Sequence, residues 1–279
     1  MRLIALGVLA LMLGAPVLAQ QPAAENWTPP AKRVSPNQGL VAQMVPRGET
    51  PKMADGHPDL SGFWGAGAVD APYTAFGARG LPFFEPDQAA MQRGNNWSRP
   101  IYKPELWEKV YGTDYGLVVG DPAFHCAADG VPRMGAASHI VATPKEIVLS
   151  YRDETRFVPV DGRKRDPQDS DYEFSNGWAL GHWEGDTLVI ESTGFNDTTW
   201  MQWTGYFHSN RMEVTERYWR KGDLLYYNFT VTDKEVLQQP WTSETFVKRA
   251  SRNPAARVAE AAPCVENDEK NLADPYFRG

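Results

Sequence analysis

Beyond Glu146 short runs rich in apolar and β-branched residues recur, some alternating with polar positions at a period of two, and Gly and Asp cut them at close intervals. The pattern predicts strands over 147–151, 156–160, 178–183, 187–193, 212–220, 224–232 and 241–248. No helical spacing of apolar residues competes with it there. Asp161-Gly162, Glu184-Gly185-Asp186 and Lys221-Gly222-Asp223 read as hairpin connections, since glycine accepts positive φ and aspartate tolerates it. Successive short hairpins predict an all-β fold, an antiparallel meander, and seven or more strands favour closure into a barrel over exposed edges.

Upstream the pattern breaks down. Fourteen of the 22 prolines fall between Pro22 and Pro132, a density that forbids long helices and central strands. Residues 20–55 read as disordered or loosely packed. Residues 56–140 read as an irregular, Pro/Gly-rich wrap holding a short first strand over 59–64 and a helix over 85–93, with Pro86 in its first turn and Asp87 suited to its N-terminus. Residues 141–250 then form the barrel core and 251–279 a tail. Residues 1–19 have the form of a secretory signal: Arg2, an apolar core over 3–13, and the small-residue site Val17-Leu18-Ala19. Pro16 and the shortness of the apolar run argue against a membrane anchor, and no later segment is apolar enough to span a bilayer. The expected location is therefore periplasmic or secreted.

Charge and composition narrow the partners. Losing Arg2 with the leader lowers Lys+Arg from 28 to 27 against 35 Asp+Glu, moving the formal charge from -7 to -8, which argues against nucleic acid. Ten Trp, eleven Tyr and twelve Phe exceed the needs of a small core, and flat rings suit pockets for aromatic or carbohydrate ligands. Cys126 and Cys264 would meet an oxidising compartment after export, so a disulfide is expected, with a buried thiol or metal ligand as the alternatives. Signatures for nucleophile elbows, phosphate loops, zinc proteases and haem attachment are missing, and the five histidines are scattered singly. No cofactor or metal is assigned on that basis.

Within the strand over 212–220, Met212, Val214, Glu216 and Tyr218 share one face while Glu213, Thr215, Arg217 and Trp219 share the other. If the Met212/Val214 face turns inward, Glu216 is buried, and its charge must be paired or its pKa raised. It is either an internal ion pair, with Arg156 or Arg133, or a catalytic acid or base.

The chain also carries DLSGFW from Asp59, DP at Asp121-Pro122, Cys126, GVPR ending at Arg133, DGR ending at Arg163, WEGDTLVI from Trp183, TGFND from Thr193, Trp200, His208-Ser209, Glu216-Arg217, PWT from Pro240 and CVEN from Cys264. With this motif set it resembles a large family of exported bacterial proteins, along nearly the whole chain after the leader. The resemblance implies a β-barrel of calycin or lipocalin-like shape and no particular reaction. Where relatives tend to have His or Tyr followed by Ser before the GxWEGDT run, this chain has Trp178-Ala179. If the position lines a pocket, that exchange shifts preference toward a flatter or more apolar ligand.

The leading functional expectation is a cofactor-independent lyase, isomerase or hydrolase acting on a small aromatic molecule, with plant-polymer aromatics one source that fits. His208 serves as base, Asp197 as its orienting partner, Glu216 as a second acid or base, and Arg133 or Arg217 stabilises a developing oxyanion. Trp200, Trp178, His182 and Tyr218 complete the expected substrate contacts. The competing expectation is a periplasmic β-barrel that binds a small apolar or aromatic ligand without altering it, since barrels of roughly eight strands can hold one such guest. The interior discriminates: a carrier neutralises its charges in pairs, whereas an enzyme keeps a titratable group unpaired and reachable. A structural envelope module would have no cavity.

Overall fold

The structure, a computed structural model, describes residues 41–69, 100–106, 109–110, 121–151, 154–165, 172–202, 206–253 and 255–258. The leader expected over 1–19, residues 20–40, the helix expected over 85–93 and Cys264 lie outside the described residues. The described chain is all-β, with ten strands: β1 (Gly62–Val69), β2 (His139–Ala142), β3 (Glu146–Ser150), β4 (Thr155–Pro159), β5 (Trp178–Glu184), β6 (Thr187–Thr193), β7 (Glu213–Lys221), β8 (Leu224–Thr232), β9 (Trp241–Thr242) and β10 (Phe246–Ala250). No helix among the described residues is long and apolar enough to cross a membrane.

The strands make one antiparallel sheet in the order β4-β3-β2-β1-β10-β8-β7-β6-β5, with β9 added to β8. Two meanders, β1 to β4 and β5 to β8, are clasped together by β10, so the sheet reaches back to strands upstream of residue 141. It curls until β4 and β5 touch, forming a barrel with one seam that is not hydrogen-bonded. Nine strands alternating in direction leave the first and last running the same way, so only a parallel ladder could join them, and none forms. Side chains close the seam instead: a Cβ on Gly181 of β5 would lie 2.7 Å from a methyl of Val160 and 3.0 Å from one of Val158, so only glycine allows this approach.

Two sequence expectations change here. The Asp161-Gly162 turn is not a hairpin, because β4 and β5 are unpaired and the chain makes a long excursion between them. The single strand expected over 241–248 is broken into β9 and β10. Ser243 causes the break: its hydroxyl accepts the Phe229 N–H (2.9 Å) and donates to the Glu244 carbonyl (2.9 Å), roles that strand backbone would otherwise fill. The turns at Gly185-Asp186 and Gly222-Asp223 do join paired strands as expected.

The end of the segment read as loosely packed is in fact docked. Arg47 N–H donates to Asp223 (2.8 Å), Thr50 Oγ1 accepts from Gly222 N–H (2.9 Å), and Val41 and Met44 cover Leu224, Tyr226 and Val247 on the outside of the barrel. His57 stacks on Trp183 at 4.7 Å with nearly parallel rings. Burial of these apolar surfaces holds the strap down despite its proline content.

Candidate functional site

Alternation along β6 and β7 divides their side chains between two environments. Leu188, Ile190 and Ser192 on β6, and Val214, Glu216 and Tyr218 on β7, face the interior and are buried. The inner face of β5 presents only Ala179 and Gly181 before Trp183. That leaves room for Arg156, which reaches from β4 behind β5, with Nη2 3.1 Å from Ser192 Oγ and 2.7 Å from Glu216 Oε2. Tyr227 donates to Glu216 Oε1 (3.2 Å), Arg156 Nη1 donates to Tyr151 (3.3 Å), and the Tyr218 hydroxyl accepts from Ala137 N–H (3.3 Å).

Electrostatics follow from this enclosure. Burial works against the Arg156 charge, yet Glu216 beside it, helped by Tyr151, holds the guanidinium well above its ordinary value. Burial pushes the Tyr218 hydroxyl well above the ordinary phenol range and raises that of Tyr151. Thus Arg156 stays a cation, the tyrosines stay neutral, and Glu216 is the partner of a buried guanidinium. The network ties the β4 edge to β6 and β7 from within, past β5.

Loops at the end where β5 and β7 begin hold the other residues expected to be catalytic. His208 is 4 % exposed; its Nδ1 faces the Ser209 carbonyl (3.0 Å) and its Nε2 lies 2.9 Å from Thr199 Oγ1. A proton on Nδ1 satisfies the carbonyl, and Nε2 then accepts from the threonine. Burial lowers the imidazole pKa, so the neutral ring is favoured. Asp197 is exposed and makes no hydrogen bond to the ring; of the influences on His208 it is the weakest. Asp233 instead organises this end, accepting from Ser209 N–H (2.8 Å) and Ser209 Oγ (2.9 Å). Arg133, its side chain 1 % exposed, forks onto Asp121 at 2.6 and 2.7 Å. His208, Arg133 and Glu216 are each engaged with partners outside this set of four, and none of the four bonds another.

The outer face of β5, β6 and β7 is different. Leu180, Glu191 and Thr215 stand in register across the three strands, Trp178 pairs with Thr193 beside them, and Glu213 lies on the same face two residues from Thr215. These residues and Arg165 line a cleft of about 360 Å³. The Arg165 guanidinium lies 5.3 Å from the Trp178 ring centre, and Phe174 meets the same ring edge-on at 5.3 Å. Gly194 makes the arginine's position possible, because a Cβ there would sit 2.9 Å from Nη1. No ion pair involves Glu213 among the described residues, and Glu191 has only the half-exposed His182 ring within 3.9 Å.

Of the expected substrate contacts, Trp178 lines this cleft and His182 sits beside it, 3.4 Å from Glu184. Arg217 stands on the same outer face between Val189 and Asn228. Trp200 is half-buried in a bridge to Phe207, and Tyr218 is enclosed inside the barrel. Sequence reasoning missed Arg165, Glu191 and Glu213. The two glutamates were visible in the alternation of β6 and β7, whose outward positions take polar residues, but Arg165 belongs to the β4–β5 excursion and left no periodic signal.

Among the described residues no cysteine is free, and Cys126 is disulfide-bonded. Among the described residues no group of three or more His, Cys, Asp or Glu side chains could hold a metal ion. The chain matches no family model, no curated protein and no solved structure.

Proposed function

We propose that this is a small-molecule binding protein acting outside the cytoplasm, with its ligand seated in the outer cleft against Trp178. The carrying observation is the contrast in availability: Trp178, Glu191 and Glu213 face one 360 Å³ cleft, while the ionisable groups of the interior are engaged with one another. That volume lies in the range of small-ligand sites. Export is supported by the leader-like residues 1–19 and by the bonded state of Cys126. The acid/base reading ranks below binding because its proposed base, His208, is shut away with both ring nitrogens occupied.

A thermal-shift screen over neutral, anionic and cationic small probes tests the proposal. At least one probe should raise the melting temperature of the wild type in a concentration-dependent way, and Trp178→Ala should abolish that rise. No rise with any probe, or an equal rise in the variant, contradicts it.

A further inference from the structure

We infer that the cleft beside Trp178 takes a neutral polyhydroxylated ring, a sugar or sugar-like polyol, laid against the indole. The inference rests on the binding reading above and adds the ligand's chemistry. Charges of both signs line this one small space: Arg165 on the Trp178 side, Glu191 and Glu213 on the strands. An anion would gain from the guanidinium but face two carboxylates. A cation would gain from the carboxylates but meet a guanidinium already placed over the ring. A hydroxyl escapes both conflicts, because it donates to carboxylates and accepts from guanidinium, and Thr193 and Thr215 add hydroxyls that do either.

An unsubstituted aromatic guest satisfies less of the lining. It would cover the Trp178 face but strip water from the two carboxylates without giving them donors, an uncompensated desolvation. A polyol ring presents a flat C–H face to the indole and hydroxyls around its rim, matching the apolar surface of Trp178 and Leu180 and the polar groups around it. The apolar strip also extends past one ring: Phe174 (43 % exposed) adjoins Trp178, and Tyr172 (63 % exposed) lies 6.5 Å further on. That length suits a ligand of two linked rings.

Calorimetric titration of the purified protein with cellobiose, maltose, vanillate and choline separates the possibilities. At least one disaccharide should bind saturably. Trp178→Ala should weaken it about tenfold or more, and Glu191→Gln and Glu213→Gln should each weaken it severalfold, effects on the scale of one aromatic contact or one charge-assisted hydrogen bond. Unchanged melting temperatures of these surface variants would show that the fold is intact. Trp178-dependent binding of vanillate or choline with no disaccharide binding removes the polyol assignment and leaves the cleft as a binding site. Silence with all four probes removes both, as does disaccharide binding indifferent to Trp178→Ala.

Discussion

Glu213 and Glu216 stand three residues apart on β7 and have opposite fates. Glu216 points into the barrel, is fully buried and pairs with Arg156, whereas Glu213 points outward and lines an open cleft with no ion-pair partner among the described residues. Strand alternation alone separates them. The inner carboxylate is committed to holding β4 against β7 across a seam that backbone hydrogen bonds do not close. The outer one is available to a ligand. A carboxylate on a strand therefore says little about function until its face is known.

The sharpest way to break this contrast is to unpair the inner charge. Glu216→Gln strands the Arg156 guanidinium in the interior and should cost about 3–5 kcal/mol of stability in denaturant unfolding. Replacing both partners, Arg156→Met with Glu216→Leu, should recover most of that loss, because the cost lies in the orphaned charge. Gly181→Ala, which forces a methyl against Val158 and Val160 at the seam, should cost about 1–3 kcal/mol.

A smaller effect concerns His208. Burial depresses its folded-state pKa, so the unfolded chain binds the proton more readily, and stability should fall as pH drops below the unfolded value of about 6.5. The slope owed to this one proton is at most about 1.4 kcal/mol per pH unit, and melting curves of the wild type against His208→Gln should show it only in the wild type. Smallest of all, Glu213→Gln should shift stability by no more than about 0.5 kcal/mol, as surface substitutions do. An effect of Glu213→Gln as large as that of Glu216→Gln would erase the distinction between the faces.

Much of the fold was legible because β7 alternates cleanly and two-residue turns join β5 to β6 and β7 to β8; the bounds of β6 and β8 agree with the apolar runs that predict them. The facing of β7 and the choice of Arg156 as one partner for Glu216 were legible for the same reason. The break between β9 and β10 was not, because a serine hydroxyl standing in for backbone leaves no mark on hydrophobic periodicity. Nor was the docking of the strap, since proline density reports the absence of regular structure and not the absence of packing. For the site, His208 and Arg133 were singled out by chemical type, but burial and local partners decide availability, and those are tertiary properties. Trp178 was singled out by its bulky indole at the start of the β5 run, and it is the expected substrate contact that lines the cleft.

One paired titration bears most directly on the claim that ligand binding belongs to the outer face while the interior is sealed. Affinity for the best disaccharide should be measured for the wild type, for Trp178→Ala on the outside and for Tyr227→Phe on the inside, the latter removing a hydroxyl bonded to Glu216. The expected result is a loss of about tenfold or more for Trp178→Ala with its melting temperature unchanged, and wild-type affinity for Tyr227→Phe. Binding that survives Trp178→Ala and fails in Tyr227→Phe would place the ligand inside the barrel and contradict the account.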